Sequence, residues 1–168
     1  GHAEMLKHAL LSGTNWAELL VLEPAALALH DIEQSVAFKA DIVREDFKEN
    51  GKRKVLNLGH TTGHAWESYA AVSGNSCTHG AAVIQGLHVA LMLSGLQDEQ
   101  SALARRYPWK VIEKEALQPL WERQLQDKKN TRGEVRYVLL EHLGRPVWDV
   151  EITLERWTAA LLALNSTA

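Results

Sequence analysis

Cysteine is nearly absent from this sequence, and its scarcity excludes several classes of protein. Cys77 is the single cysteine in 168 residues, so the chain can form neither an internal disulfide framework nor a zinc cluster built on several thiolates. A chain that makes so little use of cysteine fits a reducing compartment. We therefore expect a cytoplasmic protein.

The chain also lacks a net positive charge and a long apolar run, and we expect no leader. Lys and Arg number 18 against 21 Asp and Glu, a formal charge of -3, which leaves no broad basic field for a nucleic-acid backbone. The most apolar stretch, Gly80 to Leu96, is interrupted by Gln85, His88 and Ser94 and is too short and polar for a membrane span. No basic segment leads into an apolar one at the N-terminus, so no signal peptide is visible. We expect neither a nucleic-acid nor a membrane partner.

Apolar residues at helical spacing cover most of the sequence. With 46% apolar residues, the chain is long enough for one domain with a substantial core. Periodicity and capping residues predict helices over Ala3–Leu11, Trp16–Leu22, Pro24 to about Glu45, Leu58–Val72, Gly80–Leu93, Asp98–Arg106, part of Pro108–Leu125, and Leu154–Leu164. Pro119 is expected to restart the helix that contains it. The Gly80 helix is the most apolar and is expected to be the most buried.

The pattern changes after Asp127. Apolar and polar residues alternate within Glu134–Leu140, which predicts a strand, and Val147–Val150 could pair back with it as a second one. The predicted fold class is therefore mainly α, a single multi-helix domain over residues 1–168 with one small β-hairpin. The sequence contains no strand–glycine loop–helix unit of the dinucleotide-binding kind.

His60 and His64 form the most informative pair of residues. They lie in Asn57-Leu58-Gly59-His60-Thr61-Thr62-Gly63-His64, four positions apart, and would project from one face of a helix. Two neutral imidazoles so placed can ligate one divalent metal, or divide ligation and proton transfer between them. Gly59 and Gly63 leave room for a ligand or for another backbone. The competing interpretation is a pair of ordinary histidines with satisfied hydrogen bonds.

Further candidate ligands lie on other segments. His79 immediately precedes the apolar Gly80 helix and is either a third ligand or a polar capping residue. Glu4 lies one turn before Lys7, as a ligand would or as half of a solvated ion pair. One carboxylate with two or three imidazoles suits Zn²⁺ or a similar ion with an open coordination position.

Several basic residues are candidates for binding an anionic substrate group. They are Lys39, Arg53 and the pair Lys128-Lys129, and arginine is favoured for bidentate contact with phosphate. Each of them alone is equally typical of a solvated surface side chain.

Ordered stretches along the chain resemble the C-terminal domain of 3-dehydroquinate synthase, a sugar-phosphate cyclase. They are Gly1–Lys7 with its Gly-x-x-Glu-x-x-Lys pattern, Phe38–Val43 followed by Asp46, Gly51 and Arg53, Asn57–Glu67, His79-Gly80, and Asp127–Lys129. Asn57–Glu67 is the most diagnostic of these, and together they cover nearly the whole chain.

This resemblance implies an enzyme that uses NAD and a divalent metal, zinc or cobalt, to convert the seven-carbon keto-acid phosphate DAHP into 3-dehydroquinate with release of phosphate. It implies metal ligands at Glu4, His60 and His79. It also implies catalytic roles for Lys7, Arg53 and His64, and substrate contacts from Lys39, Asn57, Lys128 and Lys129. His64 would help proton movement near the phosphate.

The resemblance implies partners as well. NAD would be held mainly by an N-terminal nucleotide-binding domain that is not in this sequence, with no cofactor-binding residue in this chain. The whole enzyme would be a homodimer, and the chain alone would be inactive.

One departure from the family pattern keeps other functions open. Ala81 stands where the family commonly has Glu after His-Gly, which removes a carboxylate near the expected metal. The alternatives are a sister cyclase acting on another sugar phosphate, a metal-dependent polyol dehydrogenase domain, or a non-catalytic helical interaction domain. The last is favoured by Ala81 and by the six tryptophans, which could form an exposed apolar patch.

Overall fold

The computed structural model describes residues 1–49, 51–126 and 134–168 as a mainly helical domain with one antiparallel hairpin. The helices are α1 (His2–Ser12), α2 (Trp16–Val21), α3 (Leu29–Glu45), α4 (His60–Val72), α5 (His79–Ser94), α6 (Gln97–Arg106), α7 (Lys114–Leu125) and α8 (Leu154–Ser166). Short 3-10 turns cover Pro24–Ala26 and Lys52–Asn57. The hairpin strands are β1 (Val135–His142) and β2 (Arg145–Ile152). The predicted fold class is confirmed.

Helix α5 is the centre of the domain. Every residue from Ala82 to Leu91 is buried, and the helix packs against α1, α4, α6, α8 and β1. A helix that is apolar on all sides can only be stable when other elements cover it. The expectation that this helix is the most buried is therefore met.

Helices α4 and α5 meet through glycines whose backbones are in direct contact. A Cβ atom on Gly86 would lie 1.7 Å from the carbonyl oxygen of Gly59, and one on Gly63 would lie 3.1 Å from the carbonyl oxygen of Ala82. The room that glycine leaves beside His60 and His64 is thus filled by another backbone. This contact fixes the start of α4 against α5.

Two predicted helix starts are wrong because local structure places each of them later in the chain. Pro24 begins a 3-10 turn, and α3 starts at Leu29, where the Asp31 carboxylate accepts from the Ala28 amide at 2.9 Å. Helix α4 starts at His60 rather than Leu58. Gly59 adopts a left-handed conformation, with φ of 75°, and a right-handed helix cannot continue through it.

Helix α7 is the helical part of the predicted Pro108–Leu125 segment, and residues 108–113 precede it without regular secondary structure. Side-chain amides from two helices bind the backbone of residues 108–113: Asn165 pairs with both the amide and the carbonyl of Ile112, and Gln85 accepts from the Lys110 amide at 3.0 Å. Helix α7 then runs through Pro119 without restarting. Burial of Ala116 and Leu120 on either side of that proline holds the helix together.

The hairpin is longer than predicted, and its first strand packs on α5. Val135 pairs with Ile152 and His142 with Arg145, with irregularities in between. Strand β1 is mostly buried and packs on α5, where the Leu140 amide donates to the Ser94 hydroxyl at 3.0 Å. Among the described residues, no helix combines the length and the apolar character needed to cross a membrane.

His88 is a structural histidine in the middle of α5. It is fully buried, and its ring nitrogens lie 2.8 Å from the Tyr107 carbonyl oxygen and 3.1 Å from the Gln100 amide nitrogen. The carbonyl can only accept and the amide nitrogen can only donate, so this pairing fits the neutral ring, with its proton on Nε2. Burial lowers the pKa of His88 to about 4, although the Tyr107 carbonyl acts in the opposite direction.

Gly86→Ala is expected to destabilise the domain by at least about 3 kcal/mol, because the new methyl group meets a backbone carbonyl that cannot rotate away. The matched control is Gly80→Ala in the same helix, where the new Cβ would meet only the Ala3 side chain at 3.7 Å. The control should match or slightly exceed wild-type stability, since alanine favours a helix by about 1 kcal/mol over glycine. Urea titration measures both, and equal stability of Gly86→Ala and wild type would contradict the close contact.

Neutral His88 contributes stability that acid removes. The unfolded chain takes up this proton near pH 6.5 and the folded chain only near pH 4, so the contribution is full above the first value and falls towards the second. Between about pH 7 and about pH 4.5, the free energy of unfolding of His88→Gln should fall by roughly 2–3 kcal/mol less than that of wild type. His30→Gln, at an exposed position of α3, is the control. Parallel pH profiles for wild type and His88→Gln would disprove the assignment.

Candidate metal and substrate site

Three potential metal ligands converge from three helices. The Glu4 carboxylate oxygen Oε1 lies 3.4 Å from Nε2 of His60 and 3.5 Å from Nε2 of His79. One donor atom from each residue lies within 4.8 Å of the others. The structure thus brings together residues that are far apart in the sequence.

Each of these candidate ligands lies at the beginning of a helix. Glu4 is in the first turn of α1, and His60 and His79 are the first residues of α4 and α5. Gly59 turns the chain into α4, and the Thr78 hydroxyl caps α5 by accepting from the Ala81 amide at 3.3 Å. Because the glycine contact fixes α4 against α5, the two imidazoles are held on the same side of the Glu4 carboxylate.

The geometry of Glu4 fits a bound cation. Its other oxygen, Oε2, accepts from the Lys7 ammonium at 2.7 Å, whereas Oε1 is buried and accepts no hydrogen bond. A buried carboxylate oxygen without a partner is costly, and here it faces the Nε2 atoms of two imidazoles. A divalent ion bound by one carboxylate and two imidazoles would satisfy all three.

Burial and charge oppose each other at this cluster. Burial alone would raise the pKa of Glu4, but the neighbouring Lys7 ammonium and the histidines outweigh it and the pKa is lowered. Burial lowers the pKa of Lys7 despite the Glu4 charge, and Lys7 also donates to the Leu56 carbonyl at 2.7 Å. Burial, with help from Lys7, lowers the pKa of His60 to about 4. His60 is therefore neutral near pH 7, the form that binds metals.

These residues line one cavity of about 440 Å³ together with Lys39 and Arg53, two of the basic residues that the sequence indicated. Its lining includes Glu4, Lys7, His8, Lys39, Glu49, Arg53, Leu56, Asn57, His60 and His79. Lys39 is exposed, and Lys7 is almost entirely buried. The cavity therefore has a fixed cation at its base and a solvent-exposed one at its rim.

Arg53 and Asn57 reach the cavity from the 3-10 turn that precedes α4. Asn57 donates to the Glu49 carboxylate at 3.1 Å, and the Arg53 guanidinium donates to the Phe47 carbonyl at 2.8 Å. The Asp46 carboxylate holds this turn by accepting from the backbone amides of Gly51 and Arg53. The sequence did not predict the turn, yet the turn sets the position of both side chains.

His64 lies beside the ligand cluster rather than in it. Its ring centroid is 5.2 Å from that of His60 and 6.2 Å from that of His79. It is exposed and lines a smaller adjoining cavity with His60, Asn57 and Arg136. Lys128 and Lys129 lie outside the described residues.

Sequence reasoning assigned no role to several residues at the site. Glu67 contacts His79 through its carboxylate, Glu49 contacts Asn57, and buried His8 lines the cavity. Arg136 of β1 faces the second cavity. The position of Glu67, three residues after His64 in the diagnostic stretch, was a signal that it shares a helix face with that histidine. Contacts between separate elements, such as that of Arg136, leave no such signal in one sequence.

A comparison with protein-family models identifies the family of this chain. A family model described as 3-dehydroquinate synthase C-terminal matches residues 1–132. The chain belongs to this family. The resemblance read from the sequence motifs is therefore confirmed.

Curated relatives carry the same name. The chain is 37% identical over 170 residues to a 3-dehydroquinate synthase of Leptospira interrogans, covering 92% of this chain and 46% of the relative. It is 35% identical over 162 residues to one of Lysinibacillus sphaericus, covering 87% and 44%. The chain thus spans about half the length of the curated relatives it matches.

Solved structures of two other synthases share the fold of this domain. A 2-deoxy-scyllo-inosose synthase complexed with carbaglucose-6-phosphate, NAD⁺ and Co²⁺ has a TM-score of 0.71 at 18% identity, covering 98% of this chain and 49% of that one. The 2-epi-5-epi-valiolone synthase ValA from Streptomyces hygroscopicus subsp. jinggangensis, with NAD⁺ and Zn²⁺ bound, also has a TM-score of 0.71, at 19% identity, with coverages of 99% and 50%. At these identities the similarity establishes the fold alone.

His60→Ala is expected to weaken Zn²⁺ or Co²⁺ binding by more than the 10- to 100-fold that typically follows loss of an outer-shell partner, because it removes a direct ligand. Isothermal titration of chelator-treated protein measures the affinity and the stoichiometry, with one ion expected per wild-type chain. His142→Ala, on the exposed end of β1, should bind as wild type does. Equal affinity of His60→Ala and wild type would rule out this cluster as the metal site.

Proposed function

We propose that this chain is the metal- and substrate-binding part of a 3-dehydroquinate synthase, which converts DAHP into 3-dehydroquinate with release of phosphate. The observation that carries the proposal is the cluster of Glu4, His60 and His79 at the wall of a cavity that also presents Lys7, Lys39 and Arg53. The names of the curated relatives support the same reaction. The activity belongs to the shikimate pathway of aromatic amino-acid biosynthesis.

Glu4, His60 and His79 would hold the divalent ion, Zn²⁺ or Co²⁺. The chemistry that such an ion supplies when bound is Lewis-acid polarisation of a substrate oxygen. Three protein ligands leave coordination positions free for substrate. Cobalt and zinc in the two related cyclase structures support this choice of metals.

The main role of Lys7 would be to hold Glu4, one of the proposed metal ligands. Its ammonium lies between Glu4 and the Leu56 carbonyl, both at 2.7 Å, so it holds the carboxylate in place and keeps it ionised. With its side chain only 3% exposed, Lys7 also provides a fixed positive charge at the base of the cavity. Such a charge stabilises anionic groups without needing to reorient.

Lys39, Arg53 and Asn57 would bind the anionic and hydroxyl groups of the substrate. Lys39 is exposed at the rim and the Arg53 side chain is 33% exposed, so a carboxylate or phosphate that enters the cavity can reach both. Lys128 and Lys129 stay predictions for the same role.

His64 would move a proton near the departing phosphate. It is exposed beside His60 and lines the adjoining cavity with Arg136. A phosphate bound there could itself accept a proton as it leaves, so His64 has only to orient or shuttle the proton.

The hydride acceptor, NAD, requires another part of the enzyme. In the described residues the strands are β1 and β2, and they are antiparallel, so this part of the chain offers no parallel crossover for a dinucleotide. We place the NAD site mainly on an N-terminal domain and the complete enzyme in the cytoplasm as a homodimer.

The pure 168-residue chain, supplied with DAHP, NAD and Zn²⁺ or Co²⁺, is expected to release no phosphate and form no 3-dehydroquinate. Mixing it with the N-terminal half of a 3-dehydroquinate synthase should restore both products, and mixing His60→Ala in the same way should not. Colorimetric phosphate assay and mass spectrometry of the product provide the measurement.

Three results would contradict the proposal in different ways. Turnover by the chain alone would disprove the division of labour between domains. Phosphate release from another sugar phosphate but not from DAHP would identify a sister cyclase. Failure of the mixture, together with failure of the wild-type chain to bind metal, would favour a non-catalytic interaction domain.

A further inference from the structure

Glu67 makes a contact that none of the roles above explains. It lies on α4, and its Oε2 atom is 3.3 Å from Nδ1 of His79 at the start of α5. On the other side of the same ring, Nε2 of His79 faces Oε1 of Glu4 at 3.5 Å. In the described part of the chain, Glu4 and Glu67 supply the polar contacts of the His79 ring.

His60 has the same arrangement with a different partner. Its Nδ1 atom lies 3.1 Å from the Leu58 carbonyl oxygen, and its Nε2 atom faces Oε1 of Glu4 at 3.4 Å. A carbonyl oxygen can only accept a hydrogen bond, so Nδ1 of His60 carries the proton and Nε2 presents a lone pair. Both imidazoles thus turn the same nitrogen towards the same carboxylate oxygen.

An ionised carboxylate, like a carbonyl oxygen, can only accept a hydrogen bond. We propose that Glu67 is the positioning residue for His79: its carboxylate accepts a hydrogen bond from Nδ1–H, which selects this tautomer and orients Nε2 towards the metal. The inference rests on the metal centre of the proposed function. A carboxylate that hydrogen-bonds a ligating imidazole also raises the basicity of that ligand.

His79 depends on such a partner more than His60 does. The His79 side chain is 50% exposed and the His60 side chain 14%, so surrounding atoms hold the His60 ring more closely. The partner of His60 is a backbone carbonyl, which a substitution at another position leaves in place. Loss of Glu67 therefore disturbs one ligand of three and leaves the other two intact.

His64, Glu67 and His79 also have donor atoms within 4.8 Å of one another, so Glu67 could instead be a direct ligand of a second ion. The two roles predict different stoichiometries. A positioning residue affects the affinity of one ion per chain, whereas a ligand creates a second binding event.

The first test is titration of chelator-treated protein with Zn²⁺ and with Co²⁺. The chain should bind one ion, about 10- to 100-fold more weakly in Glu67→Ala than in wild type. Glu67→Gln should lie in between, because its carbonyl oxygen can still accept from Nδ1 but its charge is lost. Glu33→Gln, at an exposed position of α3, should leave the affinity unchanged.

The second test determines the tautomer of His79 in the metal-free protein by nitrogen-15 NMR at a pH where the ring is neutral. In wild type, Nδ1 should appear as the protonated nitrogen and Nε2 as the unprotonated one. In Glu67→Ala, His79 should shift towards the tautomer with the proton on Nε2. Loss of a purely structural contact would not move this signal.

The outcomes separate the two proposals. Wild-type affinity in Glu67→Ala, or an unchanged tautomer, would overturn the role of Glu67 while leaving the metal centre intact. A second ion that binds wild type but not Glu67→Ala would overturn positioning in favour of direct ligation. Absence of metal binding in wild type would overturn the metal centre itself.

Discussion

The contact between the backbones of α4 and α5 is the constraint on which the site depends. Gly86 lies so close to the Gly59 carbonyl that no other residue fits there without movement of a backbone. Because Gly59 directly precedes His60, and α5 begins with His79, this contact sets the separation of the two imidazoles. Packing that buries α5 and geometry that could bind a metal therefore arise from the same contact.

A second consequence of this arrangement is electrostatic. Glu4, His60 and His79 all lie in first turns, so the N-termini of α1, α4 and α5 converge on one cavity. The positive ends of helix dipoles favour anions and oppose a bare cation. The Glu4 carboxylate offsets that opposition locally, while Lys7 and Lys39 add to the attraction for anions. The cavity is suited to a cation together with an anionic ligand more than to a cation alone.

Much of the fold can be predicted from local sequence, because apolar residues at helical spacing indicate a helix with one buried face. The periodic stretches that became α1, α5, α6 and α8 were located within a few residues. What periodicity missed depends on particular contacts: Asp31 caps the start of α3, and Gly59 turns the chain directly before α4. Asn165 and Gln85 bind the backbone of 108–113, and Asp46 organises the turn before α4. The bonds of Asn165 and Gln85 join residues far apart in the chain, and none of these contacts produces a periodic pattern.

Part of the candidate site, too, could be predicted from the sequence and part could not. The spacing of His60 and His64 indicated a shared helix face, but no rule of spacing could join either of them to Glu4 or His79. Family resemblance supplied that link, and the distances among the three residues agree with it. Resemblance did not supply Glu67, whose contact depends on how α4 crosses α5.

The imidazoles of His60 and His79 are held in place in two different ways. His60 is fixed by its own backbone, two residues away, and is therefore as rigid as the turn that carries it. His79 follows a polar loop and is fixed by a side chain on the neighbouring helix. The geometry at His79 thus depends on the packing of α4 on α5, whereas that at His60 also depends on local structure. A small change in helix packing would consequently disturb the candidate metal site first through His79.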